Sequence, residues 1–328
     1  MISNNKLYPF LFTPIYKEVI WGGDQLNSCF KRELPKTKLP IGESWEISDR
    51  ENDLSIVENG ELKGRNIKEL IDTFGADIIG ERYLNKKFPL LIKFIDAGDK
   101  LSIQVHPDEN TCKIIPGAEP KTEMWYVISA INNAKIYAGL TQNATKEIFL
   151  ETCKTPEIEK LLKVYLSEPG DSYFISSGTV HAIGGGNLLL EIQQNSDTTY
   201  RISDWGRLTP EGKPRQLHIE EALKSIHFNE NKNYRKPAVI SEDSILANSP
   251  FFKVERLLIN SERIDNTITE KEKNFHIITT VDDSVIIINN DSQTIIPYGR
   301  TCLIPASFGK YVIKTEALKK TYYIKITA

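Results

Sequence analysis

Two histidines, one glutamate and one glutamine stand on segments that read as β-strands, and together they could hold a divalent metal ion. In LSIQVHPD, residues 101–108, Gln104 and His106 are two apart, so a strand points both side chains to one face. In KTEMWYVISA, residues 121–130, Glu123 opens a run of aromatic and β-branched residues, an acid at the mouth of a strand. In GDSYFISSGTVHAIGG, residues 170–185, Gly170 and Asp171 supply a turn and residues 173–175 a short strand. Gly178 then permits a second reversal before Val180 and His181 resume extended chain. The hairpin delivers one imidazole. Two imidazoles, a carboxylate and the weaker oxygen of Gln104 suit zinc, with a position left for water or substrate. The alternative is a buried ion pair beside unrelated histidines.

The elements that must position these residues are short strands. PLLIKFIDA, LSIQVHP, EMWYVISA, KIYAGL, SYFIS, NLLLEIQQ and YRISDWG follow one another through the middle of the chain, separated by Gly, Asp, Asn and Pro turns. Helical periodicity interrupts them three times: Ile67, Leu70, Ile71 and Phe74; Ile158, Leu161, Leu162 and Tyr165; Ile219, Ala222, Leu223 and Ile226. Helices are therefore expected at about 64–84, 144–166 and 216–227, on the outside of a barrel. The polar run NENKNYRK, residues 229–236, reads as a linker between a domain of residues 1–228 and a smaller β domain of residues 237–328. In the latter, GRTCLIPASFGK can be laid over GDSYFISSGTVH, which sets Lys310 on His181. The hairpin then occurs twice, and the second copy lacks the ligand. Chance similarity of two hairpins is the rival.

Composition excludes several classes. The chain has 328 residues, a formal net charge of -3 and four scattered cysteines with no CxxC pair. That excludes a disulfide scaffold and gives no general attraction to nucleic acid. No segment reads as a signal peptide or approaches the length of a membrane span. A cytoplasmic protein with reduced thiols and a small-molecule partner is expected, with a monomer favoured and neither nucleic acid nor membrane as partner.

These segments resemble the two motifs of cupins, antiparallel jelly-roll barrels with a metal inside. Gly98, five residues, then Gln104, Val105 and His106 follow the first motif, with Gln in place of its first histidine and Glu123 delayed by the insertion 107–122. Gly170, Gly178 and His181 fit the second motif, whereas Ser176 and Gly185 stand where Pro and Asn are usual. Together the departures resemble one family, the type I mannose-6-phosphate isomerases in their short bacterial form. LSIQVHPDE, KTEMWYV, GTVHAIGGGNLLLEIQQNSDTTYRISDWGR, IWGG and GESWEIS are similar to that family's segments and cover much of residues 14–207. The resemblance implies a mainly β fold: a cupin-type antiparallel jelly-roll barrel with added helices and a second, smaller, metal-free β-barrel-like domain. It further implies one zinc ion per chain on Gln104, His106, Glu123 and His181, Arg201 as the catalytic arginine, and Ser102, Lys121 and Glu191 around the substrate. The implied reaction interconverts mannose 6-phosphate and fructose 6-phosphate through a cis-enediolate.

That chemistry needs a Lewis acid and a base but no redox cofactor. Arg201, Arg207, Lys93 and Lys121 are candidates for the substrate phosphate, against structural ion pairs or solvated lysines. Glu191 is either the base or a carboxylate that orients His181. Trp21, Trp45 and Trp125 either line a sugar pocket or fill the core. His218, His227 and His276 read as structural or surface residues. Two rival functions remain: an iron-dependent cupin oxygenase, whose site is also two histidines and a carboxylate, and a non-catalytic sugar-binding cupin.

Overall fold

The computed structural model describes residues 7–239, 241–265, 274–289, 292–317 and 320–328. The chain forms two compact units, one of residues 16–44 and 92–238 and the other of residues 1–15, 45–91 and 239–328. The sheets are antiparallel and none closes on itself, so each expected barrel is a pair of open sheets.

The first unit holds a five-stranded sheet and most of a seven-stranded sheet. In the larger sheet the spatial order is Arg235–Lys236, Ser172–Ile175, Glu123–Ala130, Asn187–Gln194, Leu90–Ala97, Ile41–Ile47 and Ile15–Glu18. In the smaller it is Leu162–Leu166, Lys135–Leu140, His181–Ile183, Ile103–Val105 and Tyr200–Ser203. The strand period of two sorts their side chains. Ile95, Trp125, Val127 and Leu189 from the larger sheet meet Ile136, Ala138 and Ile183 from the smaller in one apolar interior. The intervening Ile103, Val105, Tyr137 and Ala182 turn to the opposite face, where Phe149, Ile158, Leu161, Ala222 and Ile226 cover them. Full burial of each such aliphatic side chain contributes about 1.5–3 kcal/mol relative to exposure.

The helices are shorter than their periodicity suggests. Residues 64–84 hold Ile67–Phe74, with a capping box between Asn66 and Glu69, then Ala76–Ile79 and a 3₁₀ turn at Glu81–Tyr83. Gly75 and Gly80, at φ 49° and 77°, break the run. Residues 144–166 hold only Lys146–Thr152 as α-helix, followed by a 3₁₀ segment at Pro156–Leu161. Leu162–Leu166 is a strand on Lys135–Leu140. The stripe of Ile158, Leu161, Leu162 and Tyr165 is thus half helix turn and half alternating strand, because LKVYL also satisfies a period of two. The third helix is Ile219–Ser225. Residues 229–236 are not an open connection: Tyr234 is buried, and Arg235–Lys236 pairs with Ser172 and Tyr173. Their polarity belongs to side chains such as Lys232 and Glu230, which bond one another.

The other unit has a six-stranded sheet ordered Phe10–Leu11, Thr301–Ile304, His276–Thr280, Thr321–Thr327, Lys253–Ile259 and Ser244–Asn248. A four-stranded sheet is ordered Glu262–Asp265, Tyr311–Lys314, Val285–Asn289 and Ser292–Ile296. Leu257, Ile278, Ile304 and Tyr323 meet Val285, Ile287, Tyr311 and Ile313 between them. This strand order repeats that of the first unit. Its hairpin differs in one detail from the sequence overlay: the strand after Thr301–Ile304 begins at Tyr311, because its connection is one residue longer than that between Ile175 and His181. Strand register therefore sets Tyr311, and not Lys310, on His181.

Candidate metal centre

The alternation that sends Ile103 and Val105 outward sends Gln104 into the interior of the first unit. By the same rule Glu123 follows Trp125 and Val127 inward, Glu191 follows Leu189, Lys93 follows Ile95, and His181 follows Ile183. His106 lies just beyond the strand end and is 2% exposed. His181 depends on the turn before it: Gly178 has φ 83°, and a Cβ there would lie 2.5 Å from the His227 ring.

Donor atoms of His106, Glu123 and His181 lie within 4.8 Å of one another, all buried. Each imidazole donates Nδ1–H to a backbone carbonyl at 2.9 Å, His106 to Thr198 and His181 to Thr179. That hydrogen bond fixes the tautomer and leaves each Nε2 as a lone-pair acceptor, which in His181 faces the Gln104 amide nitrogen. His106 Nε2 is 3.3 Å from Glu123 Oε2, and His181 Nε2 is 3.3 Å from Glu123 Oε1. Neither His106 Nε2 nor Glu123 Oε1 meets a hydrogen-bond donor. Lys121 Nζ, 2.9 Å from Glu123 Oε2, supplies one positive charge, and the imidazole lone pair and remaining carboxylate oxygen turned toward the same buried point suit a further cation. His106, Glu123 and His181 thus fit a metal ion. Beside them Gln104 Nε2 donates to His181 Nε2 at 3.2 Å, and its Oε1 accepts from Ser102 Oγ at 3.4 Å.

Burial pushes the His106 pKa down to about 3, aided by the Lys121 charge, and burial lowers His181 as well. Burial alone would raise Glu123, but the Lys121 ammonium at 2.9 Å and the two imidazoles hold it well below the usual carboxylate range. Glu191 is shifted the other way, raised by burial and by the Glu123 charge. Its Oε2 accepts from Trp125 Nε1 at 2.8 Å, and its Oε1 lies 3.0 Å from Lys93 and 3.9 Å from Lys121. Lys93 also reaches Glu43 at 3.3 Å; burial opposes its charge, and the two carboxylates outweigh burial and raise its pKa.

The structure therefore brings together Gln104, His106, Glu123, His181, Ser102, Lys121, Glu191 and Lys93. Arg201 is joined to them through the backbone, opposite Gln104, while its Nη1 donates to the Gln216 carbonyl at 2.9 Å. Arg207 donates to Asp204 at 2.7 Å and to Asp99 at 3.3 Å. Trp21 is 5% exposed among Ile95, Leu101 and Trp125. Three contributors had no signal in the sequence: the Thr179 and Thr198 carbonyls, which only the fold aims, and Arg215, which donates Nε to Asp204 at 2.8 Å.

Fold and site define a class: a β protein of paired antiparallel sheets with a buried His-Glu-His metal cradle between two of them. Residues 10–147 match the model of the phosphomannose isomerase type I catalytic domain. The chain is 33% identical over 316 residues, 94% of its length and 96% of the relative's, to the probable mannose-6-phosphate isomerase GmuF of Bacillus subtilis (strain 168). It is 42% identical over 224 residues, 66% of this chain and 68% of the other, to the mannose-6-phosphate isomerase ManA of that organism. A crystal structure of the mannose 6-phosphate isomerase from Bacillus subtilis matches at TM-score 0.84 and 30% identity, covering 98% of this chain and 100% of that one. The chain belongs to the type I phosphomannose isomerase family.

Proposed function

We propose that the protein interconverts mannose 6-phosphate and fructose 6-phosphate by proton transfer between C2 and C1 through a cis-enediolate, with zinc held by His106, Glu123, His181 and Gln104. The observation that carries this reading is the convergence of buried, cation-demanding donors within 4.8 Å, in a chain of this family. A zinc ion held there would supply Lewis acidity toward the oxygen that gains charge during the reaction, without redox chemistry.

The chain's own residues do the rest. Thr179 and Thr198 hold the imidazoles in the metal-binding tautomer. Glu191 is assigned to the proton transfer, since its raised pKa makes a buried carboxylate a better base; the Trp125 N–H fixes which way it points. Orientation of His181, the other task open to Glu191, falls to the Thr179 carbonyl. Lys121 pairs with Glu123 and Lys93 with Glu191, and Arg201 is assigned to steadying the enediolate or phosphate charge. Ser102 and Arg207 are assigned to the substrate, with Trp21 as the wall behind them. All donors come from residues 93–207 of one chain, so a monomer in the cytoplasm is sufficient, and residues 237–328 serve as the accessory domain without zinc.

The test is a coupled assay for fructose 6-phosphate formed from mannose 6-phosphate, run on the protein as purified, after chelation, and after zinc restoration. Loss on chelation and return with zinc is expected. Activity that survives complete metal removal overturns the reading, and oxygen uptake with bound iron would replace it by the oxygenase.

A further inference from the structure

The repeated strand order extends to the residues that face the interior. Glu123 opens its strand opposite Ile175, the last residue of its neighbour, and His276 opens its strand opposite Ile304, likewise a last residue. His181 and Tyr311 each begin the strand that follows. Gln104 is the cross-strand partner of His181, and Asp265 is that of Tyr311. Glu191 lies opposite Trp125, two residues beyond Glu123; Lys325 lies opposite Ile278, two residues beyond His276. Asp265, His276, Tyr311 and Lys325 are thus the register counterparts of Gln104, Glu123, His181 and Glu191. The counterpart of His106 falls outside the described residues.

The four counterparts meet as their equivalents do. All are buried, at 7%, 2%, 1% and 4% exposure in chain order. His276 Nδ1 and Tyr311 Oη are 2.7 Å apart, and the Tyr311 hydroxyl also bonds Asp265. Lys325 Nζ is hydrogen-bonded and ion-paired to Asp265 Oδ2. Burial and the Lys325 charge push the His276 pKa down to about 3, so this imidazole is neutral. A carboxylate, a neutral imidazole and a phenol oxygen gathered in an apolar interior require positive charge, as the donors of the first cluster do. Here Lys325 brings that charge to Asp265, as Lys121 brings part of it to Glu123 in the first cluster.

We propose that the Lys325 ammonium stands in for a metal ion in a second copy of the centre, so that this unit carries a divalent-cation site closed by its own lysine. The lysine sits at the register of Glu191, the acidic neighbour of the first cluster. Replacing it with a carboxylate removes the internal cation and adds a donor beside Asp265 and His276.

The experiment compares full-length wild type and Lys325→Glu, dialysed in parallel against zinc, by metal content per chain. One additional equivalent of zinc in the variant is expected whatever the wild type holds, so the result stands apart from the assignment of the first site. A further His276→Ala change should remove that equivalent. A folded Lys325→Glu protein with the metal content of the wild type overturns the proposal. If that variant does not fold, thermal melts of Lys325→Met and of Asp265→Asn/Lys325→Met decide. The single change should lower the melting midpoint by leaving Asp265 without its cation, and the double change should restore most of the loss. A Lys325→Met protein as stable as the wild type overturns the proposal.

Discussion

Gln104 and His181 face each other across adjacent antiparallel strands, and the Gln104 amide nitrogen lies 3.2 Å from His181 Nε2. The strand ladder therefore fixes the glutamine at the edge of the cradle while leaving its amide free to turn about its terminal bond. Replacing Gln104 with Leu keeps the volume and removes both polar atoms. Metal affinity should fall about 10–100-fold, as for other groups that support a ligand. Competition against a chromophoric chelator measures it, and an unchanged affinity would leave Gln104 a packing residue.

Glu123 is the one acid in the cradle, and its carboxylate lies 3.3 Å from both imidazoles. Glu123→Gln keeps the shape but removes the charge that balances the ion and Lys121. Bound metal should be lost on dialysis, with turnover reduced by more than about 100-fold. Metal retained at the wild-type level would remove Glu123 from the ligand set.

The buried histidines give the metal-free protein a defined response to acid. Their pKa values are lowered on folding, that of His106 from 6.5 to about 3. Between these limits the unfolded chain binds more protons than the folded one, so stability is full above pH 6.5 and falls as pH drops toward about 3. Urea midpoints of the chelated protein across this window should decline, and His106→Gln should flatten the decline. A flat profile in the chelated wild type would contradict the burial of neutral imidazoles.

Lys93 neutralises Glu191 at 3.0 Å and Glu43 at 3.3 Å. Lys93→Met strands a buried carboxylate, at a cost of about 3–5 kcal/mol in unfolding free energy at neutral pH. Adding Glu191→Gln should recover part of it. Equal denaturation midpoints for Lys93→Met and wild type would show that the pair carries no net stability.

Arg201 is half-buried, its pKa lowered by burial and by the neighbouring Arg215 charge. Arg201→Ala should leave metal content intact and lower kcat by about 100–1,000-fold, the scale of losing one group that stabilises transition-state charge. Full turnover would confine Arg201 to its bond with the Gln216 carbonyl.

Much of the site was legible because strands obey a period of two. Gln104 and His106 flank Val105, and Glu123 precedes Trp125 by two, so facing could be read from spacing alone. What could not be read depends on contacts distant in sequence. The Thr198 carbonyl reaches His106 from 92 residues away, and nothing in NSDTTY marks it for that task. Leu162 and Tyr165 fit helix and strand periods alike, and the pairing with Lys135–Leu140 decides between them. Lys310 and Tyr311 differ by one place in a loop, a shift the overlay could not detect and the strand register does.

Phe10 and Leu11 pair with Leu303 and Cys302, so the first strand among the described residues finds its ladder partner nearly three hundred residues later. On the ribosome that edge must wait until the last quarter of the protein has been made, whereas every strand from Lys135–Leu140 to Tyr200–Ser203 has its partners by residue 236. Closure of this pairing is a late, slow event set by loop length. A chain ended at residue 238 would leave Phe10, fully buried in the finished protein, exposed to aggregation.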